Sequence, residues 1–334
     1  PCLAEAARLR HSNQRRTLMG TVGGTAMKLL ITGGNGMVGR NIQEALAVLP
    51  GVQVLAPARA ELDLASYSSV LDYLKQHQPD FIVHAAGRVG GIQANMAHPV
   101  EFLVENLDIG RNVIMAAREA GIKRLLNMAS SCMYPAQAES PLAENLILTG
   151  ALEPTNEGYA IAKIVSTRLC EYISKSDPSF KYKTMVPCNL YGRHDKFDPK
   201  HSHLIPAIIH KVHMAKVTGL NAVDIWGDGT ARREFMYAGD VADAVVYALD
   251  HFDSMPPVMN LGLGQDHTVN EYYEVTAKVL GWHGAFEHDL SKPVGMKRKM
   301  VDVSAQTAWG WAPKHTLQQG LEKTYNFYLE TVQA

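Results

Sequence analysis

From residue 27 to about 190, two hydrophobic periods alternate along the chain. Short runs at 28–32, 52–56, 81–85, 125–129 and 182–186 are predominantly apolar, the pattern of strands buried on both faces. Between them, residues 38–49, 68–76, 99–120 and 159–175 carry apolar positions at helical spacing. Strands alternating with helices predict an α/β fold built on a doubly wound parallel sheet with helices on both faces. After Asn189 the alternation weakens, and loop-rich stretches appear at 192–202 and 227–233. A smaller C-terminal lobe is expected there.

Length and composition agree with one large and one lesser unit. The 334 residues, 46% of them hydrophobic, suffice for a full core and a second smaller one. Lys and Arg number 32 against 33 Asp and Glu, which leaves no net field to gather nucleic acid or an anionic membrane. Neither is expected as a partner, and any phosphate binding must be local. No apolar run approaches the roughly 20 residues of a membrane helix. Cys2, Cys132, Cys170 and Cys188 form no Cys-x-x-Cys pair, so neither a metal site nor a disulfide framework is expected, and a reducing cytoplasm fits best. Residues 1–26 are rich in Arg, poor in acids and without apolar periodicity. They read as a disordered leader or tag, with Met27 as the natural start.

The first strand runs directly into Gly33-Gly34-Asn35-Gly36-Met37-Val38-Gly39, which opens an apolar helix. Gly33 permits a tight turn, Gly36 lets the backbone approach a pyrophosphate, and Gly39 lets helix and strand pack closely. Such a turn at the start of a doubly wound pattern predicts a Rossmann-type dinucleotide site with the helix N-terminus facing the anion. Sites that prefer NAD place an acid near the end of the second strand. Here that strand leads into Pro57-Ala58-Arg59. An arginine suits a ribose 2′-phosphate, which favours NADP(H).

Tyr159 and Lys163 stand four residues apart on one helix face. An ordinary phenol has a pKa near 10, so a tyrosine that exchanges protons at neutral pH calls for a nearby cation. Together with the glycine turn, with Ala85-Ala86-Gly87 closing one strand and Ser130-Ser131 following another, this set resembles the extended short-chain dehydrogenase/reductase superfamily. The resemblance implies that Tyr159 protonates a carbonyl oxygen as hydride arrives. It also implies that Lys163 lowers the tyrosine pKa and binds the nicotinamide ribose, that Ser130 hydrogen-bonds the carbonyl, and that Asp63-Leu64 contacts adenine. Asn106 is a further candidate for the asparagine this superfamily uses.

More local motifs narrow the reading. They are 89–95 (VGGIQAN), 130–135 (SSCMYP), 152–159 (LEPTNEGY), 189–197 (NLYGRHDKF), 202–207 (SHLIPA) and 226–235 (WGDGTARREF), which resemble the GDP-L-fucose synthase family closely, in both halves of the chain. That resemblance implies a bifunctional enzyme. It would epimerise C3 and C5 of GDP-4-keto-6-deoxy-D-mannose and then reduce C4 with NADPH, giving GDP-L-fucose. It divides the chain into an NADP-binding domain at 27–190 and a mainly substrate-binding lobe at 191–334, some of whose segments return to the first. Cys132 and His203 match the family's acid–base pair, and a C4 ketone acidifies the protons they must move. Pro187, Asn189, Leu190 and His203 join the cofactor set by the same resemblance. Asn156, Asn189, Lys211, Trp226, Arg233 and Lys299 form the substrate set, with the three basic residues assigned to the diphosphate. A homodimer through the helices at 101–120 and 159–175 is also implied.

Two departures stand out. Asn35 occupies a position where some members carry a cofactor-binding arginine, and Lys211 replaces an arginine, keeping the charge while losing the bidentate fork. A nucleotide-sugar dehydratase would place an acid beside the catalytic serine. Ser131-Cys132 stands there instead, and no acid follows until Glu139. A cofactor-sensing protein without catalysis is disfavoured by the intact Ser130, Tyr159 and Lys163. A synthase for a related deoxy-sugar such as colitose would use the same group.

Overall fold

A computed structural model describes residues 26–198, 202–292 and 296–333; the expected leader at 1–26 lies outside them apart from Ala26. Five strands follow the predicted runs: β1 (Met27–Thr32), β2 (Val52–Leu55), β3 (Phe81–His84), β4 (Arg124–Met128) and β5 (Lys181–Pro187). Alternate residues of each strand feed different cores. Leu29, Ile31, Phe81, Val83 and Leu126 enter one, while Leu30, Ile82 and Leu125 enter the other. Burial on both faces is why β1, β3 and β4 read as nearly continuous apolar runs, whereas the edge strand β2 exposes Gln53.

The first core is covered by α1 (Met37–Ala47), and the second by α2 (Tyr67–His77), the long α4 (Pro99–Glu119) and α5 (Glu157–Ser176). A short α3 (Ile92–Ala97), absent from the sequence reading, precedes α4. Close approach of α4 and α5 needs Gly110, where a Cβ would lie 2.1 Å from the Ser166 hydroxyl.

Beyond β5 the elements shorten. Strands β6 (Asn189–Tyr191), β7 (Ala222–Trp226), β8 (Arg232–Arg233) and β9 (Phe235–Tyr237) are joined by α6 (Leu204–Thr218). Helix α7 (Ala238–His251) then returns to cover the first core beside α1, and β10 (Val258–Leu261) completes the large sheet by pairing with β5. The sheet is parallel, in the order β10-β5-β4-β3-β1-β2. After β2 the chain crosses back to place β3 on the other side of β1. The carboxyl ends of β1 and β3 therefore open a crevice at a topological switch point.

Then come β11 (His267–Thr268), α8 (Val269–Leu280), β12 (Ala285–Asp289), β13 (Arg298–Lys299), α9 (Ser304–Trp309) and α10 (Leu317–Gln333). A third apolar cluster, including Ile205, Ile208, Ile225, Tyr272, Trp282 and Tyr328, unites α6, β7, α8 and α10. Glu234 ties these parts together. Its buried carboxylate accepts from the Leu263 and Gly264 N–H groups just after β10 and from the Val301 N–H just after β13, at 2.6–2.9 Å. Among the described residues, no helix is long and apolar enough to cross a membrane.

Candidate active site

A cavity of about 1500 Å³ runs from the crevice above β1 and β3 to the short strands of the C-terminal half, and every cofactor, catalytic and substrate residue expected from the sequence lines it, except Asn106.

At the β1 end, Gly33 adopts φ +75°, and a Cβ there would lie 2.7 Å from the Ala86 backbone. At Gly39 a Cβ would lie 2.3 Å from the Gly33 carbonyl oxygen. The turn thus exists only with glycine at both places. Gly36 caps α1 without a side-chain hydrogen bond, and the first turn carries no acid. The helix leaves N–H donors toward the cavity, a cradle that fits a pyrophosphate. Asn35 and Arg59 are exposed at this end, and Asp63 accepts from the Ala65 N–H at 3.0 Å.

Asn106 is not at the cavity wall. Its carbonyl accepts from the Arg88 N–H at 2.9 Å, and its amide donates to the Arg88 and Phe102 carbonyls. It secures the loop after Gly87 from behind the cavity wall, with its polar atoms committed to backbone.

The residues expected to be catalytic hang from the end of β4 and the start of α5. The Ser130 hydroxyl accepts from the Cys132 N–H at 3.3 Å and hydrogen-bonds Tyr159. Tyr159 is half-buried and lines the cavity. Burial first, and then the neighbouring Cys132, raise its pKa above the usual phenol value, while Ser130 opposes the rise. Lys163 is buried, donates to the Met128 carbonyl at 3.1 Å and stands 5.8 Å from the centre of the Tyr159 ring; burial pushes its pKa down to about 8. Its ammonium is turned toward a backbone carbonyl, and desolvation of the phenol dominates.

Beneath this group sits His84, which the sequence reading passed over. Its Nδ1 shares a 2.7 Å hydrogen bond with the Thr32 hydroxyl, and burial, followed by the Lys163 charge, pushes its pKa down to about 3. A neutral imidazole under Lys163 adds no second cation to the site.

The opposite wall comes from the C-terminal half. His203 is the N-cap of α6 and opens on the cavity; desolvation and then Lys196 lower its pKa. Lys211, one face of α6 further on, donates to the Asp224 carboxylate at 2.8 Å and lies 5.9 Å over the Trp226 ring, which is exposed rather than core. Arg233 donates to the Arg232 carbonyl, and burial lowers its pKa. Asn189 donates to the Glu234 carbonyl at 3.2 Å. Asn156 and Lys299 meet at sulfur: their side-chain nitrogens lie 3.4 and 3.9 Å from Cys132 Sγ. Two lining residues outside every motif read from the sequence are Arg88 and Glu105, paired at 2.6 Å, and they sit in ordinary-looking loop and helix sequence; Tyr134 also lines the cavity, inside the 130–135 motif but with no role assigned there.

A glycine-turn crevice over a parallel sheet, with serine, tyrosine and lysine gathered beside it, defines a Rossmann-type dinucleotide enzyme of the extended short-chain class. The chain belongs to the NAD dependent epimerase/dehydratase family, which it matches over residues 29–262. It is 53% identical to a GDP-L-colitose synthase of Yersinia pseudotuberculosis, covering 91% of this chain and 98% of the relative. It is 50% identical to a GDP-L-fucose synthase of Azorhizobium caulinodans, covering 92% and 97%. Among solved structures it resembles a GDP-mannoheptose C4 reductase from Campylobacter jejuni with NADP bound, at 27% identity and TM-score 0.84, covering 91% and 99%.

Proposed function

We propose that this protein is a bifunctional 3,5-epimerase and NADPH-dependent 4-reductase that converts GDP-4-keto-6-deoxy-D-mannose to GDP-L-fucose. The observation that carries the reading is one cavity holding Ser130, Tyr159 and Lys163 beside Cys132, with His203 on the facing wall. A relative at 50% identity named for that product supports it.

NADPH, when bound, supplies hydride to the sugar's C4. The residues that would hold it are the glycine turn at Gly33, Gly36 and Gly39 with Met37 and Val38, Arg59 toward the 2′-phosphate, Asp63 and Leu64 toward adenine, and Ala85, Ala86, Gly87, Pro187 and Leu190 along the crevice. Tyr159 gives a proton to the C4 oxygen, and its raised pKa keeps that proton in place at neutral pH. Ser130 orients the same oxygen, while Lys163 presents its ammonium to the ribose. Before reduction, Cys132 and His203 exchange protons with C3 and C5 from opposite walls. Asn156, Asn189 and Trp226 position sugar and base, and Lys211 and Arg233 approach the diphosphate. In this reading residues 27–190 bind the cofactor, and most of 191–334 shape the sugar site.

A second reading is a GDP-L-colitose synthase with the same residues, supported by the 53% identity to one. We further propose a cytoplasmic homodimer. Val100 and Val104 on α4 and Ile161 and Tyr172 on α5 are exposed, giving an apolar stripe for a second copy.

The test is incubation with GDP-4-keto-6-deoxymannose and NADPH, with the product identified by NMR. NADPH left unoxidised would rule out the reduction. Release of a GDP-hexose with unchanged C3 and C5 would rule out the epimerisation. A several-fold preference for the 3-deoxy substrate would favour the colitose reading.

A further inference from the structure

From the geometry around Cys132 we propose that Lys299 belongs to the proton-transfer machinery, as the cation that holds the Cys132 thiolate, and not to the diphosphate site. The proposal rests on the epimerase reading given above and sharpens it.

Three observations point there. Lys299 Nζ lies 3.9 Å from Cys132 Sγ, and Asn156 Nδ2 lies 3.4 Å from the same atom. Sulfur thus has two donors, one of them charged, an arrangement able to meet negative charge that develops there. Second, the Ser130 hydroxyl accepts from the Cys132 N–H, so the residue bearing the sulfur is anchored beside the group that receives the substrate carbonyl.

The third observation explains why the ammonium stays there. Strands β8 and β13 pair in parallel, with Arg298 beside Arg232 and Lys299 beside Arg233. Successive side chains of a strand point to opposite faces. On one face Asp266, only 6% exposed, takes both arginines, Arg232 Nε at 2.8 Å and Arg298 Nε at 2.5 Å. On the other face Arg233 and Lys299 reach the cavity. The buried carboxylate pins the ladder from behind and so fixes the reach of Lys299 toward sulfur.

In the step this serves, the Cys132 thiolate takes a proton from a carbon flanking the C4 ketone. An S–H bond forms and the C–H bond breaks, with the electron pair moving to the C4 oxygen. His203, charged for this step by a proton from solvent, then delivers that proton to the other face of the carbon as the electron pair returns from the C4 oxygen, leaving a thiol and a neutral imidazole, which solvent resets. Lys299 stabilises the charge at sulfur before transfer and keeps its own proton throughout.

The test uses the full-length, ligand-free enzyme and iodoacetamide, with the Cys132 peptide quantified by mass spectrometry so that other cysteines are counted separately. With Lys299→Gln, alkylation of Cys132 at pH 7 should fall about tenfold and recover in alkaline buffer. Lys299→Arg should restore most of the neutral-pH rate, and NADPH affinity should be unchanged in both variants, showing an intact fold. Asp266→Asn should give the same loss in smaller measure. With substrate, Lys299→Gln should lose solvent-proton exchange at C3 and C5 while GDP affinity changes less than threefold. Unchanged Cys132 alkylation in Lys299→Gln overturns the proposal, and a tenfold loss of GDP affinity alongside it returns Lys299 to the diphosphate. Because the alkylation needs no substrate, its failure is separable from failure of the proposed reaction.

Discussion

The two walls of the cavity offer different chemistry. The wall built on β1, β3 and α1 offers backbone: glycines that admit close approach and helix N–H groups that carry no side-chain cap. The wall built on α6, β7, β8 and β13 offers long basic side chains, each steered by a partner, with Asp224 holding Lys211 and Asp266 holding the strands of Arg233 and Lys299. Backbone recognition is written into glycine spacing. Side-chain recognition depends on neighbours brought in from far along the chain, so its residue types are visible before its geometry is.

The contrast is broken most directly at the chemistry, where the proposed reductive group hangs from β4 and α5 between the two walls, while the proposed acid–base pair reaches from the end of β4 to α6 on the second. Tyr159→Phe should cut NADPH oxidation by roughly 10² to 10⁴ while leaving deuterium exchange at C3 and C5 measurable. Cys132→Ser should do the reverse, nearly stopping exchange while slow reduction of the unepimerised ketone persists. If Cys132→Ser exchanges both protons at the wild-type rate, the proposed pair is wrong.

Glu234 sharpens the contrast structurally, because it ties the second wall to the large sheet. Glu234→Ala strands three buried N–H donors and should cost about 3 kcal/mol in urea unfolding. Burial raises the Glu234 pKa to about 7, above an unfolded value near 4.3. The folded state therefore takes up this proton first as pH falls. The advantage of wild type over the variant should grow between pH 8 and pH 5; a constant difference across that range would contradict the assignment.

A smaller effect is expected where the first wall does use a side chain. Arg59→Ala should weaken NADPH binding about 10- to 100-fold and NADH binding much less, read by fluorescence titration. Equal losses would show that Arg59 does not meet the 2′-phosphate. The mildest test is pH. Lys163, with its pKa pushed down to about 8, is charged below that pH and neutral above it, so kcat/KM for reduction should fall about tenfold per unit beyond it. Lys163→Arg should move that limb upward, and a profile flat to pH 10 would dismiss the lysine charge as a requirement.

Legibility followed the same divide. Strands β1 to β5 and helices α1, α2, α4 and α5 lie within about two residues of the runs read from sequence, because burial on both faces writes continuous apolar segments. Helix α3 spans only 92–97, and β8, β11 and β13 are two residues each, too short for any period to register. Helix α6 buries Ile205, Ile208, Ile209, Val212 and His213 and carries a weak amphipathic signal. In the site, residue types were readable from motifs, whereas orientation was not. Nothing local says that Lys163 turns to the Met128 carbonyl, that Asn106 is consumed by the Arg88 loop, or that Lys299 approaches sulfur. Glu234 and Asp266 look like any surface acid until three remote segments close over them.

The pairing of β10 with β5 also has a consequence for synthesis on the ribosome. When β5 emerges, its partner at 258–261 has not yet been made, so residues 181–187 present an open strand edge. An apolar edge of that kind is a template for pairing between nascent chains on neighbouring ribosomes. The sheet can close only once 188–257 have emerged and β10 has cleared the exit tunnel, so the vulnerable interval is set by translation speed over that stretch. Slowing elongation there by synonymous codons would prolong exposure of β5 and lower the soluble yield, with no change to the finished protein.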